Sequence, residues 1–281
     1  MKKAIITSSI LSALAASIAT AATAYDPFLT GSPPANGEYS TGNQNLAAQN
    51  PTVTGWTGGW AVGASFNSSV SATGLAYSDG SNNLVTDGGS IFAAANSRVG
   101  RGLSAPATSS TTSTLYMSLL FQLDGTVGYN AFEMHDGGFA DTDRTIQLGV
   151  GGAGEPATNA GDFGLKVNNS SIADLGTADN NTNLFVVKFN FSNTGSGDSL
   201  SVWRNPTLGG AEPTADATLS GFDLTFDRTT IARFGNGTTN LDELRFGTSF
   251  ADVTPIPEPS SALLIFLASV LGVASRRRRR A

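Results

Sequence analysis

The residues best equipped for chemistry crowd into one stretch, Phe132-Glu133-Met134-His135-Asp136-Gly137-Gly138, with Asp141-Thr142-Asp143 just beyond it. His135 is the only histidine in the 281 residues, so it is the only base a Ser-His-Asp triad could use. No Gly-x-Ser-x-Gly elbow accompanies it, and the bland reading is a loop or surface histidine at a strand end. The four acids Glu133, Asp136, Asp141 and Asp143 surround it in sequence. Asp141 and Asp143 offer oxygens to Ca²⁺, while a Gly/Asp turn gives the same letters without a metal; both readings stay open. The chain has no cysteine, which excludes thiolate zinc sites, redox motifs and cysteine nucleophiles, and no other cofactor is called for.

Three further groups call for chemistry by letter alone. Asp242-Glu243-Leu244-Arg245 holds two carboxylates, but adjacent residues on a strand point to opposite faces and cannot form the ~5 Å pair of a retaining glycosidase. An edge salt bridge with a turn carboxylate explains them as well. Gly149-Val150-Gly151-Gly152-Ala153-Gly154 follows a strand, yet Glu155-Pro156 and more turn residues come next, so no helix presents its N-terminus to a phosphate. It is a loop. Trp56, Trp60 and Trp203 have the flat faces on which sugars stack, and in an all-β domain they are more often core.

Alternation supplies the elements that would carry these residues. Leu115, Met117, Leu119, Phe121 and Leu123 share one face, opposite Tyr116, Ser118 and Gln122. Phe185, Val187, Phe189 and Phe191 share another; Phe222, Leu224 and Phe226 alternate with Asp223, Thr225 and Asp227, and Leu244 and Phe246 with Glu243 and Arg245. Shorter runs lie at 145–150, 163–167, 200–203 and 231–234, separated by Gly/Asn/Asp turns. Period two with one apolar face predicts antiparallel strands over a core, and many short strands predict a two-sheet sandwich.

Both ends read as sorting segments. Met1-Lys2-Lys3, an apolar stretch from Ala4 to Ala19 and the A-x-A triplet Ala22-Thr23-Ala24 form a signal peptide, residues 1–24, cleaved after Ala24. At the other end, Pro255-Ile256-Pro257-Glu258-Pro259-Ser260 holds the chain extended. An uncharged run from Ala262 to Ala274 follows, then Arg276, Arg277, Arg278, Arg279 and Arg280. Thirteen residues make ~20 Å of helix against ~30 Å of hydrocarbon, a marginal span, and the arginines mark the cytoplasmic end. Taking Lys2, Lys3 and those five arginines from the 16 basic residues leaves nine, against 22 acidic, in the exported part. That acidic body argues against nucleic acid as a partner.

The tail resembles the PEP-CTERM sorting signal, carried here by Pro257, Glu258 and Pro259 ahead of a short span at 260–275 and the basic end at 276–280. The resemblance implies recognition and cutting by an exosortase-type membrane enzyme, in organisms that make extracellular polysaccharide. The body resembles concanavalin-like, laminin-G-like jelly rolls in Trp56-Thr57-Gly58-Gly59-Trp60, Leu184-Phe185-Val186-Val187-Lys188, Ser201-Val202-Trp203-Arg204-Asn205-Pro206 and Leu241-Asp242-Glu243-Leu244-Arg245-Phe246-Gly247-Thr248-Ser249. Many members of that fold bind sugars or proteins, and a minority cleave glycans with acids in a Glu-x-Asp-x-x-Glu strand pattern that is missing here. Fold and function are separable.

The expected organisation is a signal peptide (1–24), an entry segment ordered on contact or a loose linker (25–51), an all-β antiparallel jelly-roll sandwich (52–254) and a sorting tail (255–281). The expected function is an exported envelope or matrix protein, structural or glycan-binding and not an enzyme. The expected partners are the exosortase-type enzyme and extracellular polysaccharide. The alternative is a glycan-active hydrolase or lyase whose carboxylates come from separate strands.

Overall fold

A computed structural model describes residues 23–257 apart from 33, 43–45, 65–67, 94–95, 109–113 and 126–127. The expectations for the signal peptide and the membrane span therefore lie outside the described residues, as do Ala22, Glu258, Pro259 and Arg276–Arg280. No helix among the described residues is long and apolar enough to cross a membrane.

The described chain forms two antiparallel sheets facing each other, the two-sheet sandwich expected from the alternation and the jelly roll that the resemblance implies. The first sheet contains β1 (Ala24–Asp26), β3 (Ser68–Ser71), β4 (Ser90–Ala93), β6 (Thr114–Asp124), β11 (Asn183–Asn190), β12 (Asp198–Arg204), β13 (Ala217–Phe222) and β15 (Thr238–Gly247). Its order is β13-β12-β11-β6-β15-β4-β3, with β1 added onto β15. The second sheet contains β2 (Trp56–Ala64), β5 (Ser97–Thr108), β7 (Tyr129–His135), β8 (Arg144–Val150), β9 (Asp162–Val167), β10 (Ser171–Thr177) and β14 (Thr225–Phe234). Its order is β10-β9-β8-β7-β14-β5-β2. One short helix, α1 (Phe250–Val253), follows the last strand and is capped by Ser249, whose hydroxyl accepts from the Asp252 amide.

The core between the sheets takes the faces that the alternation marks. Leu119, Phe121, Val187, Phe189, Leu224 and Phe246 are all buried in it, and Phe189 packs against Phe226 with ring centroids 5.2 Å apart. A tilted aromatic pair of this kind adds to the area term.

Four features differ from the sequence reading or go beyond it. Phe222, Leu224 and Phe226 do not share one strand: the chain turns between β13 and β14, held where the Leu224 amide donates to Asp198. The outer face of β6, β11 and β12 is not a wet polar face. Tyr116, Leu120, Leu184, Val186 and Trp203 are buried there with Leu84, Leu208, Phe250 and Val253 in a second, smaller cluster. The described residues of 25–51, read as an entry segment ordered on contact or a loose linker, pack into the sandwich, as the first of those alternatives has it. Phe28, Tyr39 and Leu46 are buried, and Tyr39 shares Asp26 with Arg101. Finally β5 is twelve residues long although Ser97-Arg98-Val99-Gly100-Arg101-Gly102 shows no alternation and holds Val99 as its one usual strand former. Its place comes from pairing with β14 and β2.

Candidate functional site

In the seven-stranded sheet the apolar residues Val99, Phe132, Met134, Ile146 and Ile231 face the core, so their neighbours point the other way. Glu133 stands opposite Thr230 on β14 and Gln147 on β8, and Gln147 stands opposite Lys166 on β9. A row of polar side chains thus crosses the outer face of this sheet, and Glu133 is its centre.

Glu133 is fully buried and collects nearly every donor in reach. Arg98 Nε donates at 2.9 Å, Arg144 Nη1 at 3.0 Å, the Tyr129 hydroxyl at 2.6 Å and the Thr230 hydroxyl at 2.7 Å. His135 Nε2 lies 3.1 Å away, and since a carboxylate only accepts, Nε2 carries the proton. Burial alone would raise the Glu133 carboxyl; the bonds from His135, Tyr129 and Thr230 and the Arg98 guanidinium outweigh it and hold it at about 2. A carboxylate this saturated is a poor proton carrier at neutral pH.

Above this buried layer sit two loop carboxylates. Asp141, whose side chain is 70% exposed, places one oxygen 2.6 Å from Arg98 and 3.4 Å from Arg144. Glu155 lies 2.9 Å from Lys166 and 3.7 Å from Arg144. Arg98, Tyr129, Asp141, Arg144, Glu155 and Phe234 line an open cavity of about 330 Å³. The Tyr129 and Phe234 rings lie side by side in it, 6.3 Å apart, and Arg98 and Arg144 pack over them. Polar acceptors held rigid beside aromatic faces suit a ligand with hydroxyls on one edge and C–H surface on the other.

The residues singled out from sequence are distributed as follows. His135 reaches the site but is fully buried beneath Phe139, and its Nδ1 has no partner among the described residues, so it is not the surface histidine expected. Asp141 joins the site with arginines as its partners. Asp143 instead turns back to accept the Ala140 amide, and Asp136 accepts from Thr225. Among the described residues no three His, Asp or Glu side chains are grouped so as to hold a metal ion. Trp56, Trp60 and Trp203 are all buried and offer no face to a sugar. The 149–154 glycine run leaves β8 into a loop, as read.

Asp242 and Glu243 correct the opposite-face argument. A bulge interrupts β15 between Asp242 and Arg245, and Glu243 has φ +54°. The extra residue turns Asp242, Glu243 and Arg245 onto the same outer side while Leu241, Leu244 and Phe246 stay in the core. Both acids are buried and tie down the 72–89 segment: Asp242 accepts the Leu75 amide, Glu243 accepts the Asp87 amide and Tyr25 hydroxyl, and Arg245 bonds Glu243 and the Val85 carbonyl. Burial, then the neighbouring Glu243, pushes Asp242 up to about 8.

Sequence reasoning missed Arg98, Tyr129, Arg144, Glu155 and Phe234. A usable signal existed: Arg98 and Arg144 are two of only nine cations in the exported part, which is costly to place on a strand without a partner.

Residues 255–280 match the PEP-CTERM protein-sorting motif, a substrate signal for exosortase processing. No curated protein matches the chain. Among solved structures, the cellulose induced protein Cip1 is 11% identical over 80% of this chain and 97% of its own, with a TM-score of 0.41. The VIP36 exoplasmic/lumenal domain in its Ca²⁺/Man3GlcNAc-bound form is 15% identical over 62% of this chain and 89% of its own, with a TM-score of 0.40. The botulinum neurotoxin serotype D binding domain is 9% identical over 73% of this chain, with a TM-score of 0.40, and this chain spans about half (47%) of its length. The chain is an all-β sandwich that ends in a PEP-CTERM sorting motif, and that motif marks it as an exported protein sorted at the membrane.

Proposed function

We propose that this protein is a surface or matrix-associated glycan-binding protein without enzymatic activity. In this reading a signal peptide exports it, a short C-terminal helix holds it in the membrane for a time, and an exosortase-type enzyme removes that helix near Pro257-Glu258-Pro259. The observation that carries the binding reading is the cavity on the seven-stranded sheet, where Asp141 and Glu155 stand as fixed acceptors beside Tyr129 and Phe234. Sugar hydroxyls bond to the carboxylates, and the sugar's C–H face lies against the ring edges beside Arg98 and Arg144.

Absence of catalysis is supported by the state of the acids. Glu133 is locked by five donors, and Asp242 and Glu243 are sealed under the 72–89 segment. None of the three has the access to a substrate that a general acid or nucleophile needs. The test is a glycan array on the mature exported protein, with and without Ca²⁺. Binding is expected, and Asp141→Ala should weaken it about tenfold, the loss of one charge-assisted hydrogen bond. Release of reducing sugar at a rate abolished by one carboxylate substitution would overturn the non-enzymatic reading.

A further inference from the structure

The chain is built into the fold at both edges of the domain, at the amino end into the Ala22-Thr23-Ala24 triplet and at the carboxyl end up to the Pro257-Glu258-Pro259 motif. At the amino end, Thr23 donates to the Phe246 carbonyl twice, from its amide at 2.6 Å and its hydroxyl at 3.0 Å. Ala24 is buried opposite Phe246 in β1, and the Tyr25 amide donates to Thr54 at 3.2 Å. The floor beneath them is Gly55, where an added Cβ would lie 2.3 Å from the Ala24 methyl and 2.4 Å from the Thr23 carbonyl. At the carboxyl end, the Pro255 carbonyl accepts from Val85 at 2.8 Å, and Ile256 packs on the outer cluster of Leu84, Leu208 and Phe250. Here too the floor is a glycine: a Cβ on Gly209 would lie 2.8 Å from Ile256.

We infer that the fold delimits maturation at both ends, so that the mature chain begins at Ala22 and ends beyond Ile256. The inference rests on the reading of a cleaved signal peptide and a removable tail. Cutting after Ala24 would strip the two Thr23 bonds and the Ala24 methyl from β15. It would also convert the Tyr25 amide, now bonded to Thr54, into a charged amine inside the sheet. A second A-x-A triplet, Ala19-Thr20-Ala21, satisfies the same small-residue requirement three residues earlier. A cut after Ala21 leaves both Thr23 and Ala24 in place and puts the new amine next to Thr23, which is exposed. At the other end, a cut before Pro255 or Ile256 would uncover the outer cluster; a cut within or after Pro257-Glu258-Pro259 leaves it closed.

The experiment is intact-mass analysis with amino-terminal sequencing of the cell-surface form from the native host, for the natural chain and for Ala21→Leu and Ala22→Leu. The expected product starts at Ala22 and ends at Pro257 or later. Ala22→Leu, at −3 of the later triplet, should leave the cut position unchanged, while Ala21→Leu should accumulate precursor or shift the cut to Ala24. A natural product starting at Tyr25, or ending before Ile256, would overturn the inference and leave the sorting reading standing. A product that keeps Met1 or Ala281 would instead overturn the sorting reading.

Discussion

Glu133 and Asp242 are buried carboxylates with opposite proton affinities, and both contribute to the pH response of the protein, together with Asp26, whose carboxyl burial also raises. Glu133 is held at about 2, below its usual value, so its contribution to stability is complete above pH ~4.5 and disappears as pH falls through about 2. Asp242 is raised from 3.8 to about 8, so its contribution is complete below pH ~4 and is lost as pH rises through about 8. Stability should therefore peak near pH 4 to 5 and decline toward pH 8 by a magnitude on the order of a few kcal/mol. Asp242→Asn loses one hydrogen-bond acceptor but should flatten that decline, as read by denaturant midpoints across the pH range. A decline that persists unchanged in the variant would assign it to another group.

Among the elements, β11 is the most fully determined by its own sequence, and its inward residues carry the core. Phe189 is completely buried against Phe226, so Phe189→Ala should cost about 3–5 kcal/mol, measurable by urea denaturation with an unchanged slope. A loss under 1 kcal/mol would mean the ring is not packed as described. In the proposed reading the 262–274 run and its arginines act as a membrane stop. Replacing Arg276–Arg280 by serine should weaken the membrane stop and let precursor pass through, whereas Glu258→Ala should leave insertion intact and impair cutting. Fractionation and immunoblotting of the two variants check this; equal retention of both in the membrane would contradict it.

For the whole molecule, the proposed glycan-binding reading makes charge the selector among glycans. All nine cations of the exported part are already engaged: Arg101 with Asp26, Lys188 with Glu212, Arg204 with Asp179, Arg228 with Asp227, Arg233 with the Gly237 carbonyl and Arg245 with Glu243, besides the three at the cavity. With 22 acids against nine bases, the surface repels polyanions over the ~8–10 Å range of the field at physiological salt. Neutral oligosaccharides should therefore bind with an affinity nearly independent of salt. Uronate-bearing chains should bind weakly at low salt and gain as salt rises. Calorimetric titrations at two ionic strengths separate the cases, and tight low-salt binding of a uronate chain would refute the argument.

Period-two alternation, the proline motif, the uncharged run and the arginine block are local signals, legible because each depends on residues close in sequence. They determined the strands β6, β11 and β15, the sandwich and the sorting tail. The cavity of the proposed site was not legible. Its parts come from β5, β7, β8, β14 and two loops, and Arg98, with no local pattern to mark it, meets Glu133 only through the order of strands in a sheet. The bulge at Glu243 likewise reverses a facing rule that holds for any regular strand, and only the pairing of β15 with β6 reveals it. The covered face of Trp203 and Leu184 and the docking of residues 24–51 are also tertiary facts, since what buries an apolar side chain is chain from elsewhere. The alternation of a strand says that one face is apolar; the partners available to the other face decide whether it meets water.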